Sequence, residues 1–436
     1  MSKTFVTLIL ILFFLNNSLL AQKILTPSDQ LEDLTYLVER LEEIHPNPYD
    51  SLSKEDFYGK IELLKKEFSV ERKSSDFAKL LMPLLSALGD AHTEMEVPQK
   101  EFRTFQEAGG SLFSFLVDIR EQEVYVKDHP DYEGAKITQI NGIPLTQILP
   151  AIRSYVSAER EAFREAVIEK SWQAYSWFEL GEIHTISIEW KGKKIEVKNG
   201  EETLGAQKTK AYEWEIVGKK AWIRFNRMAN LSAFKKFLKE SFREIASKEV
   251  DTLLIDLRKN GGGDSRLGDL LISYLYEGRY RQVSALQVKA SSSQKAYFHK
   301  TYIPFFLKPF LPLFKLNPVL RATFGKSGKT YEIKFKEKQA KKRKNSFRGK
   351  VYALIGPSTF SSAAILANAL KEYEIAEMLG EETGGIGIFY GDNIYIELPH
   401  SGLRSTISFK KFVLPGAKAD GRGVVPDRPL PFRDIN

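Results

Sequence analysis

One stretch constrains the fold of this chain more than any other. It runs Val351-Tyr352-Ala353-Leu354-Ile355-Gly356-Pro357-Ser358-Thr359-Phe360-Ser361-Ser362-Ala363 and continues to Leu370. An apolar run breaks at a Gly-Pro turn, hydroxyl residues cluster behind the break, and a helix-compatible segment opens. A continuously apolar strand followed by a helix suits a buried, largely parallel sheet. The junction also sets small hydroxyl side chains at a helix start, where unpaired N–H groups favour negative charge. A second junction lies upstream, at Leu253-Leu254-Ile255-Asp256-Leu257-Arg258-Lys259-Asn260-Gly261-Gly262-Gly263. Its glycines permit close approach and unusual dihedrals. No phosphate-loop lysine follows them, and the spacing is not the dinucleotide fingerprint. The two junctions read as halves of a serine hydrolase site.

With 436 residues, 43% of them hydrophobic, the chain can build two or three domains. Residues 1–21 read as a secretory signal. Lys3 starts it, Phe5 to Phe14 form its apolar centre, and Ser18-Leu19-Leu20-Ala21 precede the expected cut before Gln22. Asn16-Asn17 interrupt the run too early for a spanning helix. The expectation is an exported protein, periplasmic or extracellular. The chain has no cysteine, which excludes disulfides, thiol catalysis and thiolate metal sites.

Residues 22–104 read as a helical region. Leu31, Leu34, Leu37, Leu41 and Ile44 recur at helical spacing, and His45-Pro46-Asn47-Pro48-Tyr49 ends that helix. Ser53 and Asp56 cap a second helix, and a third runs from about Ser74 to Ala87, stopping at Gly89-Asp90-Ala91-His92-Thr93. Residues 105–211 read as a mainly β module. Its short runs are Leu112 to Val117, Val124 to Lys127 and Lys136 to Ile140; one helix spans Pro150 to Glu159, and a hairpin turns at Gly192. From 212 to 436 strands alternate with helices, interrupted by an insertion at 280–348. Tyr302 to Phe314 in that insertion is rich in aromatics and prolines, and reads as a loop packed over the core. The net charge of +8 is concentrated in Lys336 to Lys350, read as a solvated loop. Nucleic acid is not expected as a partner, whereas contact with an anionic membrane surface stays open.

Ser361 is the candidate nucleophile, with Gly261, Gly262 and Ser362 as the candidate oxyanion or substrate-binding positions. His92 is the candidate base, because it ends a helix in a polar turn without apolar periodicity. His45 reads as structural. Asp90 could serve His92 or cap its own turn. Asp420 or Asp427, in a Gly-rich loop, could orient a histidine or support a turn. The histidines are scattered, so no metal and no cofactor is expected.

These segments resemble the S41 peptidases, the C-terminal processing and tricorn core families. The likeness rests on strand-Asn-Gly-Gly-Gly, Phe360-Ser361-Ser362-Ala363, Gly380-Glu381-Glu382-Thr383-Gly384-Gly385, Gly423-Val424-Val425-Pro426-Asp427, Gly89-Asp90-Ala91-His92-Thr93 and His45-Pro46-Asn47-Pro48-Tyr49. The resemblance implies an α/β fold of three parts: a helical N-terminal region, a PDZ-like module and a core related to ClpP and crotonase. The processing proteases carry a dyad lysine where this chain has Ile386, in Gly385-Ile386-Gly387. The tricorn-like branch uses a histidine and a glutamate instead. His92 matches that histidine, and Asp420 falls where the branch has its glutamate. The implied activity is an exported serine peptidase in which Ser361 attacks, His92 takes the proton, Asp420 holds the imidazole, and the Gly262 and Ser362 N–H groups bind the oxyanion. The module, through Gly134-Ala135-Lys136-Ile137-Thr138-Gln139-Ile140-Asn141-Gly142, resembles a PDZ domain and implies a peptide or protein substrate held by its C-terminus. The alternative is a catalytically inactive peptide-binding protein on the same fold. A crotonase-like acyl transferase is disfavoured, because acyl-CoA is cytoplasmic. Substrate identity, endo- or exopeptidase action and oligomeric state are not fixed by the sequence.

Overall fold

The computed structural model describes residues 24–200, 209–301 and 316–431. The expected leader and the segment Tyr302 to Phe314 lie outside the described residues.

The core is a six-stranded sheet in the order Tyr212–Val217, Lys220–Phe225, Thr252–Asp256, Lys350–Ile355, Glu377–Gly380, Arg428–Pro429. The first pair is an antiparallel hairpin; every later pair is parallel. The central strands are apolar on both faces because helices cover both. Leu253, Ile255, Ala353 and Ile355 are fully buried and share a core with Phe234, Leu238, Leu271 and Leu366, from the helices Leu231–Ser247, Arg266–Leu275 and Ser362–Glu372. The two central strands are in register, Ile255 opposite Ala353, so their C-terminal turns emerge side by side. Ligands sit at that edge in open α/β sheets.

A second, antiparallel sheet carries the long strands Ile388–Glu397 and Arg404–Val413. Two strands of the insertion join it, Ala285–Lys289 and Thr330–Lys334. The described parts of the insertion are therefore partly woven into the fold. Its basic run is partly tied down as well: Lys338 pairs with Asp269, Arg348 with Glu277, and Arg343 Nε donates to Ser273 Oγ at 2.9 Å.

The helices Pro27–Ile44, Lys54–Lys65 and Ser74–Ser86 form the N-terminal region, with Ser53 capping the second as its spacing to Asp56 predicts. Leu34, Phe77, Ile137, Ile394 and Ile407 belong to one apolar core that joins this region, the module and the second sheet. Asp33 is buried inside that contact and accepts from the His400 and Ser401 N–H groups, both at 2.8 Å.

The module is less β-rich than its sequence suggests. Its sheet runs Leu116–Arg120, Glu123–Lys127, Lys136–Ile140, Thr185–Trp190, Lys193–Lys198. Three helices, Leu145–Tyr155, Glu161–Lys170 and Trp172–Leu180, stand between its third strand and its hairpin. The last two escape a periodicity reading because both are short and weakly amphipathic, packing on several sides at once.

Candidate active site

Ser361 sits at the turn between the Lys350–Ile355 strand and the Ser362–Glu372 helix. Thr359 closes the turn: its hydroxyl donates to the Leu257 carbonyl at 2.9 Å and accepts from the Gly356 N–H at 3.1 Å. The backbone of Ser361 is forced to φ 51°, ψ −127°. A side chain in that region costs on the order of 1–3 kcal/mol and persists only where the surroundings impose it. The strain lifts the hydroxyl clear of the strand and sets it at the helix start, the logic of a nucleophile elbow.

Asn260 holds the two sheet turns together. It is fully buried; its Nδ2 donates to the Phe225 carbonyl at 2.7 Å, and its own carbonyl accepts from Phe360 N–H at 3.1 Å. Its Oδ1 also accepts from the Gly262 N–H at 2.9 Å. This corrects one expectation: the Gly262 amide is spent inside the loop and is not a free oxyanion donor. Gly262 matters by its bareness. At φ +100°, an added Cβ would lie 2.9 Å from the Phe360 carbonyl oxygen, from Ser361 Cβ and from Ser362 N. Gly261 faces open space and is exposed. The Ser362 N–H is the first of its helix and has no protein acceptor among the described residues. The Ser362 hydroxyl is turned away, donating to the Gly263 carbonyl at 2.7 Å.

His92 arrives from 269 residues upstream, with Nε2 3.1 Å from Ser361 Oγ. The second sheet fixes it. The strand Glu94–Met95 pairs with Ser405 and Thr406, and the His92 carbonyl accepts from the Thr406 hydroxyl at 2.9 Å. The ring stacks on Phe360, centroids 4.7 Å apart, with Phe389 at 5.9 Å. Burial holds its pKa below the usual imidazole range, against the opposing charges of Asp90 and Asp392 and the support of the Tyr390 backbone. The ring is therefore the neutral, basic form at neutral pH. Its Nδ1 is buried and makes no close hydrogen bond.

Asp90 lies beneath the turn, almost fully buried. It accepts from the His92 N–H at 2.9 Å, the Thr93 hydroxyl at 2.5 Å and His45 Nε2 at 3.1 Å. Burial alone would raise its pKa; His45, His92 and Thr93 together hold it well below the usual carboxylate range. The Asn47 N–H donates to His45 Nδ1 at 3.2 Å, so the His45 proton is on Nε2 and points at Asp90. His45 also ends its helix, its N–H reaching the Leu41 carbonyl.

The structure does not bring Asp420 to this site. Asp420 is exposed, and its Oδ1 accepts from the Arg422 N–H at 3.0 Å, folding its own Gly-rich turn. Asp427 is a tether: it pairs with Lys371 at 2.7 Å and accepts from the Met378 N–H at 2.8 Å. The loop carrying Ile386 does pass the nucleophile, since an added Cβ on Gly385 would lie 3.2 Å from Ser361 N.

One residue near the site carries no local signal in the sequence. Glu159 offers a carboxyl oxygen within 4.8 Å of ligand atoms of both Asp90 and His92. Burial and the Asp90 charge raise its pKa to about 8. These three side chains are close enough to share a metal ion, but the oxygens of Asp90 are already committed to three donors. Glu159 follows no motif, and only the docking of its loop against residues 90–93 brings it here.

Residues 219–430 match the sequence model of peptidase family S41. No curated protein matches the chain. Among solved structures, mature CPAF is similar with a TM-score of 0.64 and 13% identity, over 93% of each chain. A structure of mature CPAF complexed with lactacystin gives a TM-score of 0.65 at 13% identity, over 93% of this chain and 94% of that one. At that identity the likeness concerns the fold. The matched segment takes in both sheet turns, the three glycines and Ser361, and on that ground residues 219–430 are a segment of peptidase family S41, a family of serine-type hydrolases.

Proposed function

We propose that this chain is an exported serine peptidase in which Ser361 is the nucleophile and His92 its general base. The observation that carries the reading is the 3.1 Å contact between His92 Nε2 and Ser361 Oγ on a strained strand-to-helix turn. The neutral imidazole takes the hydroxyl proton as Oγ attacks the peptide carbonyl carbon. The carbonyl oxygen becomes an oxyanion against the Ser362 N–H and the helix start. On collapse the C–N bond breaks and His92 gives its proton to the departing amine. Water then repeats the sequence on the acyl-serine, with His92 again as base. Gly262 keeps the space above Ser362 N open for the oxyanion. Ile386 cannot accept a proton, which leaves the base to His92.

Export is supported by the character of residues 1–21: a lysine start, an apolar centre and Ala21 before the cut. The module is proposed to take up the C-terminal end of a peptide or protein substrate, in the manner of a PDZ domain. Peripheral contact with an anionic membrane would use those lysines of the 336–350 run that have no acidic partner.

The test is hydrolysis of a mixed peptide library by residues 22–436, read by mass spectrometry beside Ser361→Ala. Cleavage abolished in the variant, and a covalent adduct on Ser361 with a serine-reactive phosphonate, is the expected result. Lactacystin is a second ligand to try, since CPAF takes it. No cleavage and no adduct would move the reading to a peptide-binding protein on the same fold.

A further inference from the structure

Two buried groups beside the site lack a close hydrogen bond, and they are neighbours. Both carboxyl oxygens of Glu159 are buried without a close hydrogen bond, and so is Nδ1 of His92. An oxygen of Glu159, a ring nitrogen of His92 and an oxygen of Asp90 all lie within 4.8 Å of one another. A buried polar group without a partner is costly, and an isolated one calls for a reason. The neighbours they do have are backbone groups, Ala91 and Glu159 itself for the carboxyl and Tyr390 for the ring, and joining the two side chains would give each a close partner.

We propose that Glu159 is the acid of the catalytic unit, accepting the Nδ1–H of His92 and so holding the Nε2 lone pair toward Ser361. It is a positioning residue, and the proposal rests on the serine-peptidase reading above. The other acids are engaged elsewhere. Asp90 already serves three donors, Asp392 is half-exposed and paired with Lys410, and Asp420 is in its own exposed turn. Glu159, by contrast, is carried on a firmly pinned loop. Ser157 Oγ donates to the Thr93 carbonyl at 3.0 Å, and Ser86 Oγ to the Val156 carbonyl at 2.9 Å. Next to it, Arg160 pairs with Glu382 at 2.9 Å and donates to the Thr383 carbonyl. This loop therefore bridges the turn of His92 and the loop that passes Ser361. Hydrogen bonds of catalytic groups are often long in free enzymes and tighten around substrate. An uncharged carboxyl group still accepts through its carbonyl oxygen, so the resting protonation of Glu159 does not forbid the contact.

Glu159→Met is the discriminating variant, because it keeps the volume and removes the acceptor. If Glu159 were structural, the variant would unfold more easily. If it is the positioning acid, replacing a dry carboxyl by an apolar chain leaves the melting temperature unchanged or higher. On the proposal kcat falls at least ~100-fold with KM little changed, as loss of an imidazole-orienting acid does elsewhere. Glu159→Gln, which retains an acceptor oxygen, recovers part of that loss. The His92 Nδ1–H resonance, slow to exchange in the wild type, disappears in Glu159→Met. An unchanged kcat and resonance in Glu159→Met overturns the proposal, as does a loss of both in Asp420→Asn with Glu159→Met unaffected. If the wild type itself shows no Ser361-dependent hydrolysis, the peptidase reading fails, while the resonance still decides whether Glu159 meets His92.

Discussion

At Gly262 the absence of a side chain is itself functional. Its amide is committed to Asn260, so the residue serves the site by leaving room beside Ser362 N. A methyl group would fill that room, and an L-residue at φ +100° is strained besides. Gly262→Ala is expected to lower kcat/KM by ~100-fold or more, with a smaller loss of stability, about 1–3 kcal/mol. Retained activity would place the oxyanion elsewhere. His92 makes a second prediction. Burial disfavours its charged form, so the acid limb of kcat/KM should have its midpoint below 6.5, the ordinary imidazole value. The same shift acts on stability. As pH falls through 6.5 the unfolded chain gains a proton that the native ring refuses, and this contribution is lost progressively down to the native pKa. A pH-rate profile with its acid midpoint at or above 6.5 would mean that the base is solvated or is another group.

At the level of elements, the site exists because two strand-to-helix turns and a distant polar turn are locked together. Asn260 is the central tie, serving Phe225, Phe360 and Gly262 at once. Asn260→Ala would leave a buried carbonyl and a buried N–H unpaired, at a cost of about 2–4 kcal/mol. Chemical denaturation would show this as a lower midpoint with the slope unchanged, and peptide hydrolysis would fall with it. A wild-type midpoint would mean that the turns hold without the amide. Much of this was open to a reader of the sequence. Ser361 and the glycines stand out because an apolar run breaks abruptly at each turn. His92 stands out because a helix ends in polar residues. What the sequence hides is what long-range packing decides. Asp420 has no helical or strand periodicity around it, and Glu159 reads as the end of a helix over Pro150 to Glu159 that in fact stops at Tyr155; only the tertiary docking of their loops sends one to solvent and the other toward the imidazole. Gly262 reads as a donor in the sequence because nothing local shows that the Asn260 side chain, two residues earlier, turns back to take its amide.

Across the whole molecule, the core, the module and the second sheet meet around one site, and the module has a guarded edge. Its sheet ends on one side in Lys193–Lys198, whose three lysines discourage further pairing. The other edge, Leu116–Arg120, is where a substrate strand would add. There the Ile119 N–H is already taken: Glu169, on the helix Glu161–Lys170, accepts it at 2.6 Å. If the module takes up tails as proposed, Glu169 occupies the place of the incoming peptide's carbonyl, and a substrate tail would have to displace it to bind. Removing that competitor frees the backbone donor and lowers the cost of entry. Glu169→Ala is therefore expected to tighten binding of peptides with a free C-terminus by about 5-fold, the worth of one net hydrogen bond. Fluorescence anisotropy with a labelled peptide, on the Ser361→Ala background so that nothing is cleaved, measures it directly. C-terminal amidation of the peptide should erase the gain, since carboxylate capture is the proposed role of the module. An affinity indifferent to both changes would mean that tails reach Ser361 without the module, leaving Glu169 as a clasp between a helix and its sheet.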